Sequence, residues 1–150
     1  MFFQSAMYSL RKYADFKGRA SRSEFWCFFF FVILAQAVAR IVDVLFGGFL
    51  IFGPVGGLVS LLLVVPQAAV AVRRLHDLGR SGRELVVPVV MLALLPVVAM
   101  FGGFLPRLIA IGYAGVTLLV FANLLLMFLK EGRSVPNKYG AAPTAFSFAG

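Results

Sequence analysis

Three short segments hold most of the side chains in this chain that could do chemistry. They are Gly18-Arg19-Ala20-Ser21-Arg22-Ser23-Glu24-Phe25-Trp26, Arg73-Arg74-Leu75-His76-Asp77-Leu78-Gly79-Arg80-Ser81-Gly82, and Pro136-Asn137-Lys138-Tyr139-Gly140. Arginines beside carboxylates form two-pronged charged hydrogen bonds, and unpaired arginines attract anionic headgroups. His76 is a candidate general base, with Asp77 or Glu24 to orient it. Adjacent residues on a helix point apart, so His76 and Asp77 do not pair if both are helical. A phosphate could sit at a helix start at Ser81, where Gly79, Arg80 and Gly82 leave amides exposed. His76 is the only histidine and Cys27 the only cysteine, so no two-histidine or cysteine-cluster metal site is expected. Nucleophile elbow, phosphate loop, zinc-binding helix and paired-carboxylate motifs are absent from the sequence. The residues therefore read as a binding cluster of Arg19, Arg22, Glu24, Arg73, Arg74, His76, Asp77, Arg80, Ser81, Asn137 and Tyr139. No catalytic residue, metal, cofactor or enzyme activity is expected. Ion-pair networks of this kind are often structural, so locking loops and binding a ligand are both open at this point.

The elements that position these segments follow from composition. Of 150 residues, 61% are hydrophobic and only 13% charged. A soluble domain of this length buries only about two-thirds of its surface, so a water-soluble globular enzyme and a disordered chain are both excluded. Four apolar stretches are long enough to cross a bilayer, which takes about 20 helical residues: Phe25 to about Phe46, about Gly53 to Val72, about Leu85 to Leu105, and about Leu108 to Leu129. Backbone groups in lipid must be satisfied internally, so these read as helices, and the lack of strict alternation argues against a barrel. The fold class is all-α: a polytopic membrane protein of four transmembrane helices with a cytoplasmic polar layer.

The net charge of +8 comes from 14 Lys and Arg against 6 Asp and Glu. All of the cations except Arg40 and Arg107 border the spans before the first, between the second and third, or after the fourth. That asymmetry places both termini in the cytoplasm, and it explains the charge without a nucleic-acid partner. The loop Gly47–Phe52 carries no cation. Ala37-Val38-Ala39 resembles a signal-peptide cleavage site, but apolar sequence resumes at Ile41, so cleavage is not expected.

Local signals mark the helix ends. Ser21-Arg22-Ser23-Glu24 and Ser81-Gly82-Arg83-Glu84 both have capping-box spacing, so the first spanning helix should start at Arg22. The second should run past the membrane through His76 and turn out at Gly79. Gly132 could end the fourth in the same way. Pro66, Pro88 and Pro96 lie inside spans and favour kinks. Gly53 and Gly57 form a weak Gly-x-x-x-Gly packing signal. Phe3, Met7 and Leu10 share a face, which reads either as a short interfacial helix or as a loose tail. The divisions are thus residues 1–20, a membrane domain over 21–132, and a tail over 133–150. Within the membrane, Gln36, Arg40 and Asp43 share one face, with Arg40 able to snorkel outward and pair with Asp43, and Asn123 could bond across helices.

These motifs resemble the YhaH-like small bacterial inner-membrane proteins, a domain family of unknown function. The family pattern is Gly-Arg-x-Ser-Arg-x-Glu-Phe-Trp, then a Pro followed by Arg-Arg-Leu-His-Asp-x-Gly-Arg-Ser-Gly, then a terminal Asn-x-Tyr/Phe-Gly. The match covers roughly Tyr8 to Pro143. Arg83 and Glu84 stand where the family usually has tryptophans, and Cys27 where a second aromatic often follows Trp26. The resemblance implies a bacterial inner-membrane location and supplies no activity. The expected role is a non-enzymatic module whose Arg/His/Asp face engages anionic membrane lipid or a protein partner, with a homo-oligomer as one arrangement. A transporter or channel subunit using Gln36, Arg40, Asp43 and Asn123, and an enzyme on lipid headgroups using His76, are the alternatives.

Overall fold

A computed structural model of the chain describes residues 2–47, 53–101 and 103–143. Five α-helices run in order: α1 (Phe2–Arg11), α2 (Arg22–Leu45), α3 (Pro54–Asp77), α4 (Val86–Ala99) and α5 (Phe104–Leu129). A 3-10 turn at Gly82–Leu85 leads into α4. The described residues are otherwise loops, with one isolated bridge between Asn137 and Gly140. The loop Gly47–Phe52 and the end of the 133–150 tail lie largely outside the described residues.

Among the described residues three helices, α2, α3 and the α5 segment Leu105–Leu129, are long and apolar enough to cross a membrane. The expected third span is shorter than its apolar stretch. Its 14-residue α-helix is about 21 Å long, against a hydrocarbon core of about 30 Å. Gly103 takes a positive φ of 99° and ends the run before Leu105. α5 then starts at Phe104 rather than Leu108, because Pro106 fits a first helical turn. Pro88 likewise falls in the first turn of α4, where its missing N–H removes no helical bond. Pro66 lies deep in α3, and the Leu62 carbonyl it cannot serve accepts the Tyr13 hydroxyl at 2.6 Å.

α2 starts at Arg22, with Ser21 Oγ accepting the Glu24 amide at 3.1 Å. The far end of α3 is capped from another helix. Gly53 has no capping side chain, and Asp43 of α2 instead accepts the Val55 amide at 2.9 Å and the Gly56 amide at 2.8 Å. A carboxylate at a helix N-terminus also meets the positive end of its dipole. The tight glycines are Gly53 and Gly56, not Gly53 and Gly57. A Cβ on Gly53 would lie 2.0 Å from Asp43 Cγ and one on Gly56 2.5 Å from Arg40 Nη1, whereas Gly57 faces open space. The approaching groups are side chains of α2, which a backbone spacing rule does not register. Arg40 stands 3.9 Å from Asp43, the pairing expected of these two residues, and Gln36 donates to Ser60 Oγ at 2.8 Å. Asp43→Ala should cost about 1–2 kcal/mol, the scale of a lost N-cap. A denaturant or heat titration in detergent checks this, and an unchanged midpoint would remove the capping role.

The core lies at one end of the bundle. Phe25 and Phe28 of α2, Val70 and Leu75 of α3, and Leu124, Met127 and Phe128 of α5 are buried together, with Phe25 and Phe128 rings 4.4 Å apart. Of the two readings of the N-terminal residues, the helix is the one that forms, and α1 buries Ser5, Ala6 and Ser9. Phe3 is 66% exposed. Small residues let α1 approach closely, with Phe3 and Met7 left exposed while Leu10 packs against the core.

Candidate functional site

The three polar segments meet at the end of the bundle where the core lies, and they sort into separate contacts. The positioning begins with α3, whose last turn closes as a Schellman motif. The Gly79 amide bonds the His76 carbonyl at 3.0 Å and the Arg80 amide bonds the Leu75 carbonyl at 2.9 Å, with Gly79 at a φ of 76°. This fixes Arg73, Arg74, His76 and Asp77 on successive faces of one turn.

Arg74 is completely buried and uses every arm of its guanidinium. It donates to the Phe128 carbonyl through Nε and Nη2, to the Lys130 carbonyl through Nη2, and to Ala20 O and Asp77 Oδ2 through Nη1. The last carbonyls of a helix lack helical partners, so Arg74 caps α5 while tying it to the lead-in of α2. Asp77, also buried, takes Arg19 on its other oxygen, with Nε at 2.9 Å and Nη2 at 2.8 Å. Arg19 continues into the tail through Nη1 to Val135 O at 3.0 Å and to Gly140 O at 3.4 Å, and through Nη2 to Arg133 O. One carboxylate and two arginines thus join α2, α3, α5 and the tail. Gly132 passes so close to Asp77 that a Cβ there would lie 1.8 Å from Oδ2. It is not the helix-ending glycine expected: α5 stops at Leu129 with extended Lys130, and Gly132 is not among the positive-φ glycines of the described residues. Its missing side chain makes room for the Asp77 carboxylate.

His76 and Asp77 point apart, as their adjacency requires. His76 Nδ1 lies 3.1 Å from the Gly18 carbonyl, and since a carbonyl only accepts, Nδ1 carries the proton in this contact. Its ring stacks on Tyr139 with centroids 3.8 Å apart. Asn137 Nδ2 donates to His76 O at 2.9 Å, and Asn137 Oδ1 accepts the Tyr139 amide at 2.9 Å. These residues strap the tail over the loop before α2.

Two expected members stand apart. Arg80 is exposed and pairs with Glu84 at 2.7 Å, outside the Arg19–Asp77–Arg74 group. Ser81 accepts the Arg83 amide at 3.4 Å rather than that of Glu84, so the second capping box does not form. The phosphate site read at Ser81 is also displaced, because the Gly79 and Arg80 amides are engaged by α3. Gly82 packs on Val72, where a Cβ would lie 2.6 Å from Cγ1.

A separate pair forms deeper in. Glu24 and Arg73 meet at 2.9 Å with both side chains almost fully buried. Ser9 of α1 also reaches Glu24 Oε1, at 3.5 Å. The intramembrane set does not converge. Gln36, Arg40 and Asp43 serve the α2–α3 contact, while Asn123 is exposed on α5 beside Arg80 and Glu84 in a small cleft.

What faces outward is a cleft of about 450 Å³ between the start of α2 and the segment after α5. Arg22, Ser23, Glu131, Arg133 and Ser134 line its mouth, with Arg74 and Asp77 at the wall. Arg22 pairs with Glu131 at 3.1 Å, both exposed. Among the described residues the Arg133 guanidinium has no carboxylate partner. It lies over Gly79, where a Cβ would stand 2.7 Å from its Cζ. Sequence reasoning missed Ser9 and Ser134, and left Ser23 and Glu131 out of the cluster although both lie beside it. The Ser5-Ala6-Ser9 spacing of small residues was the one available signal for α1. The tail residues had none, since they are placed by Arg19 from far along the chain.

The model of the family described as "Protein of unknown function (DUF805)" matches residues 13–141. Inner membrane protein YhaI of Escherichia coli strain K12 is 31% identical over 134 residues, which cover 89% of this chain and 90% of that one. Inner membrane protein YhaH of the same strain is 35% identical over 78 residues, 48% of this chain and 61% of that one. No solved structure matches. The matched stretch holds α2 to α5 and each buried ion pair described above, while α1 precedes it. On that match the chain is a membrane protein and belongs to the DUF805 family.

Proposed function

We propose that this is a non-enzymatic, multi-pass module of the bacterial inner membrane that binds anionic lipid headgroups at its basic, cytoplasmic end. In this reading the chain crosses the membrane four times. The 3-10 turn and α4 together span 82–99, about 29 Å at their respective rises, close to the about 30 Å of hydrocarbon. With α2, α3 and α5 this makes an even number and puts the termini, the 73–83 segment and the tail on the side where cations accumulate. The observation that carries the binding role is the cleft between α2 and the tail, where Arg133 is held in place yet lacks a carboxylate partner. Arg19 and Arg74 at the cleft are engaged with protein groups, so headgroup binding in the cleft falls to Arg22 and Arg133 at its surface. Gln36, Arg40 and Asp43 hold two helices together, which favours this module over a transport path.

A basic side chain near an anionic membrane surface contributes about 1 kcal/mol. Arg133→Ala should therefore lower the anionic lipid retained by the purified full chain about fivefold, and Arg22→Ala by a similar factor. Mass spectrometry of the extracted complex reads this. Unchanged retention in both variants would overturn the proposal. Ser134→Cys and Ser81→Cys should both label from the cytoplasmic face of membrane vesicles, and labelling from opposite faces would overturn the orientation.

A further inference from the structure

Beneath α1 lies a second polar site that shares no lining residue with the cleft. Arg73 is 1% exposed, and only its Nη2 is engaged, by Glu24. Its Nε and Nη1 are buried with no hydrogen-bond partner among the described residues. A buried guanidinium with two unused donor groups is costly. The contrast with its neighbour is sharp, since Arg74 satisfies every arm with protein carbonyls and Asp77.

The cover over this pair is α1. Ser5, Ala6 and Ser9 face inward, and Ser9 offers Glu24 a single hydroxyl at 3.5 Å, the outer limit for such a bond. The other faces of α1 present Phe3, Met7 and Tyr8, suited to lipid. The pair belongs to the family-matched stretch, and α1 lies before it. α1 therefore fills the place without matching its donors: it gives Glu24 one weak donor and gives Arg73 no acceptor.

We propose that Arg73 and Glu24 form a headgroup site for a phosphate ester that also carries a hydrogen-bond donor, and that α1 occupies it as a built-in plug. The phosphate oxygens take the free N–H groups of Arg73, as charge-assisted bonds. The ligand's hydroxyl or ammonium group donates to Glu24, in the position of the Ser9 hydroxyl. Glycerol and ethanolamine phospholipids carry both groups, whereas the choline headgroup has no donor for Glu24. The pair sits at the ends of the apolar stretches of α2 and α3, the depth at which lipid phosphates lie.

The test uses the full chain with Cys27→Ser and Ser5→Cys in nanodiscs, with maleimide labelling of residue 5 as the readout. In discs of phosphatidylcholine alone, labelling should be slow. Adding phosphatidylglycerol or phosphatidylethanolamine should raise the rate about tenfold, as the ligand competes with α1. A rise caused by free glycerol 3-phosphate in phosphatidylcholine discs supports the same chemistry with a soluble source. Arg73→Lys, which keeps the ion pair but has no planar fork, should abolish the response. Equal rates in all lipids, as for a site closed over ordered water, would overturn the proposal. So would an undiminished response in the folded Arg73→Lys protein.

Discussion

Replacing Arg74 with alanine should remove about 3–5 kcal/mol of stability, the range for stripping one partner from a buried ion pair. Four groups lose a donor at once, Ala20 O among them. The Phe128 and Lys130 carbonyls at the end of α5 are left without their donor, and Asp77, 2% exposed, keeps only Arg19. Removing one partner of a buried hydrogen bond costs the desolvation of whatever stays behind. Arg74→Lys should recover only part of the loss, because an ammonium group cannot reach α2, α5 and Asp77 together. Arg80→Ala is the contrast: its pairing with Glu84 is exposed and is worth under about 1 kcal/mol. Denaturant titration of the three variants in one detergent gives the comparison. An Arg74→Ala midpoint equal to that of Arg80→Ala would show that the α2–α3–α5 junction does not depend on this side chain.

Gly132→Ala should cost about 1–3 kcal/mol, the scale of overpacking a filled site. The added Cβ would fall 1.8 Å from Asp77 Oδ2, and that carboxylate is pinned by Arg19 and Arg74, so the backbone after α5 has to move. Displacing it pulls on the Arg133 amide, which bonds the Asp77 carbonyl at 3.1 Å, and so reshapes the cleft. Gly112→Ala on α5 meets nothing within 4 Å and should be neutral or slightly stabilising, since alanine restricts the unfolded chain and favours helix. Thermal unfolding of the two variants checks this pair. Equal midpoints would mean that residue 132 has room to spare and that the closeness to Asp77 is unimportant.

Much of the scaffold was legible because its signals are local. The Ser21 cap, the start of α2 at Arg22, the run of α3 through His76 and the turn at Gly79 each follow from residues within a few positions of one another. Long apolar runs announce spanning helices because lipid requires them. The same local reasoning erred where a distant group competes. The spacing pairs Glu84 with Ser81, yet Glu84 holds Arg80, and Gly132 admits Asp77 rather than ending a helix. The length of α4 was overestimated because hydropathy alone does not register the backbone turn at Gly103.

The candidate site divides along the same line. Its membership was written in the chain, since Arg19, Glu24, Arg73, Arg74, His76 and Asp77 do gather at one end of the bundle. Their partners were not. Whether an arginine is consumed by the fold or left free depends on which carbonyls and carboxylates arrive beside it, and Arg19, Arg74 and Asp77 draw theirs from segments more than fifty residues apart. Composition and hydropathy act through each residue's own transfer into lipid, so they can be summed along a sequence. Ion-pair choice is settled by competition among donors and acceptors in three dimensions, and only the packed structure decides it.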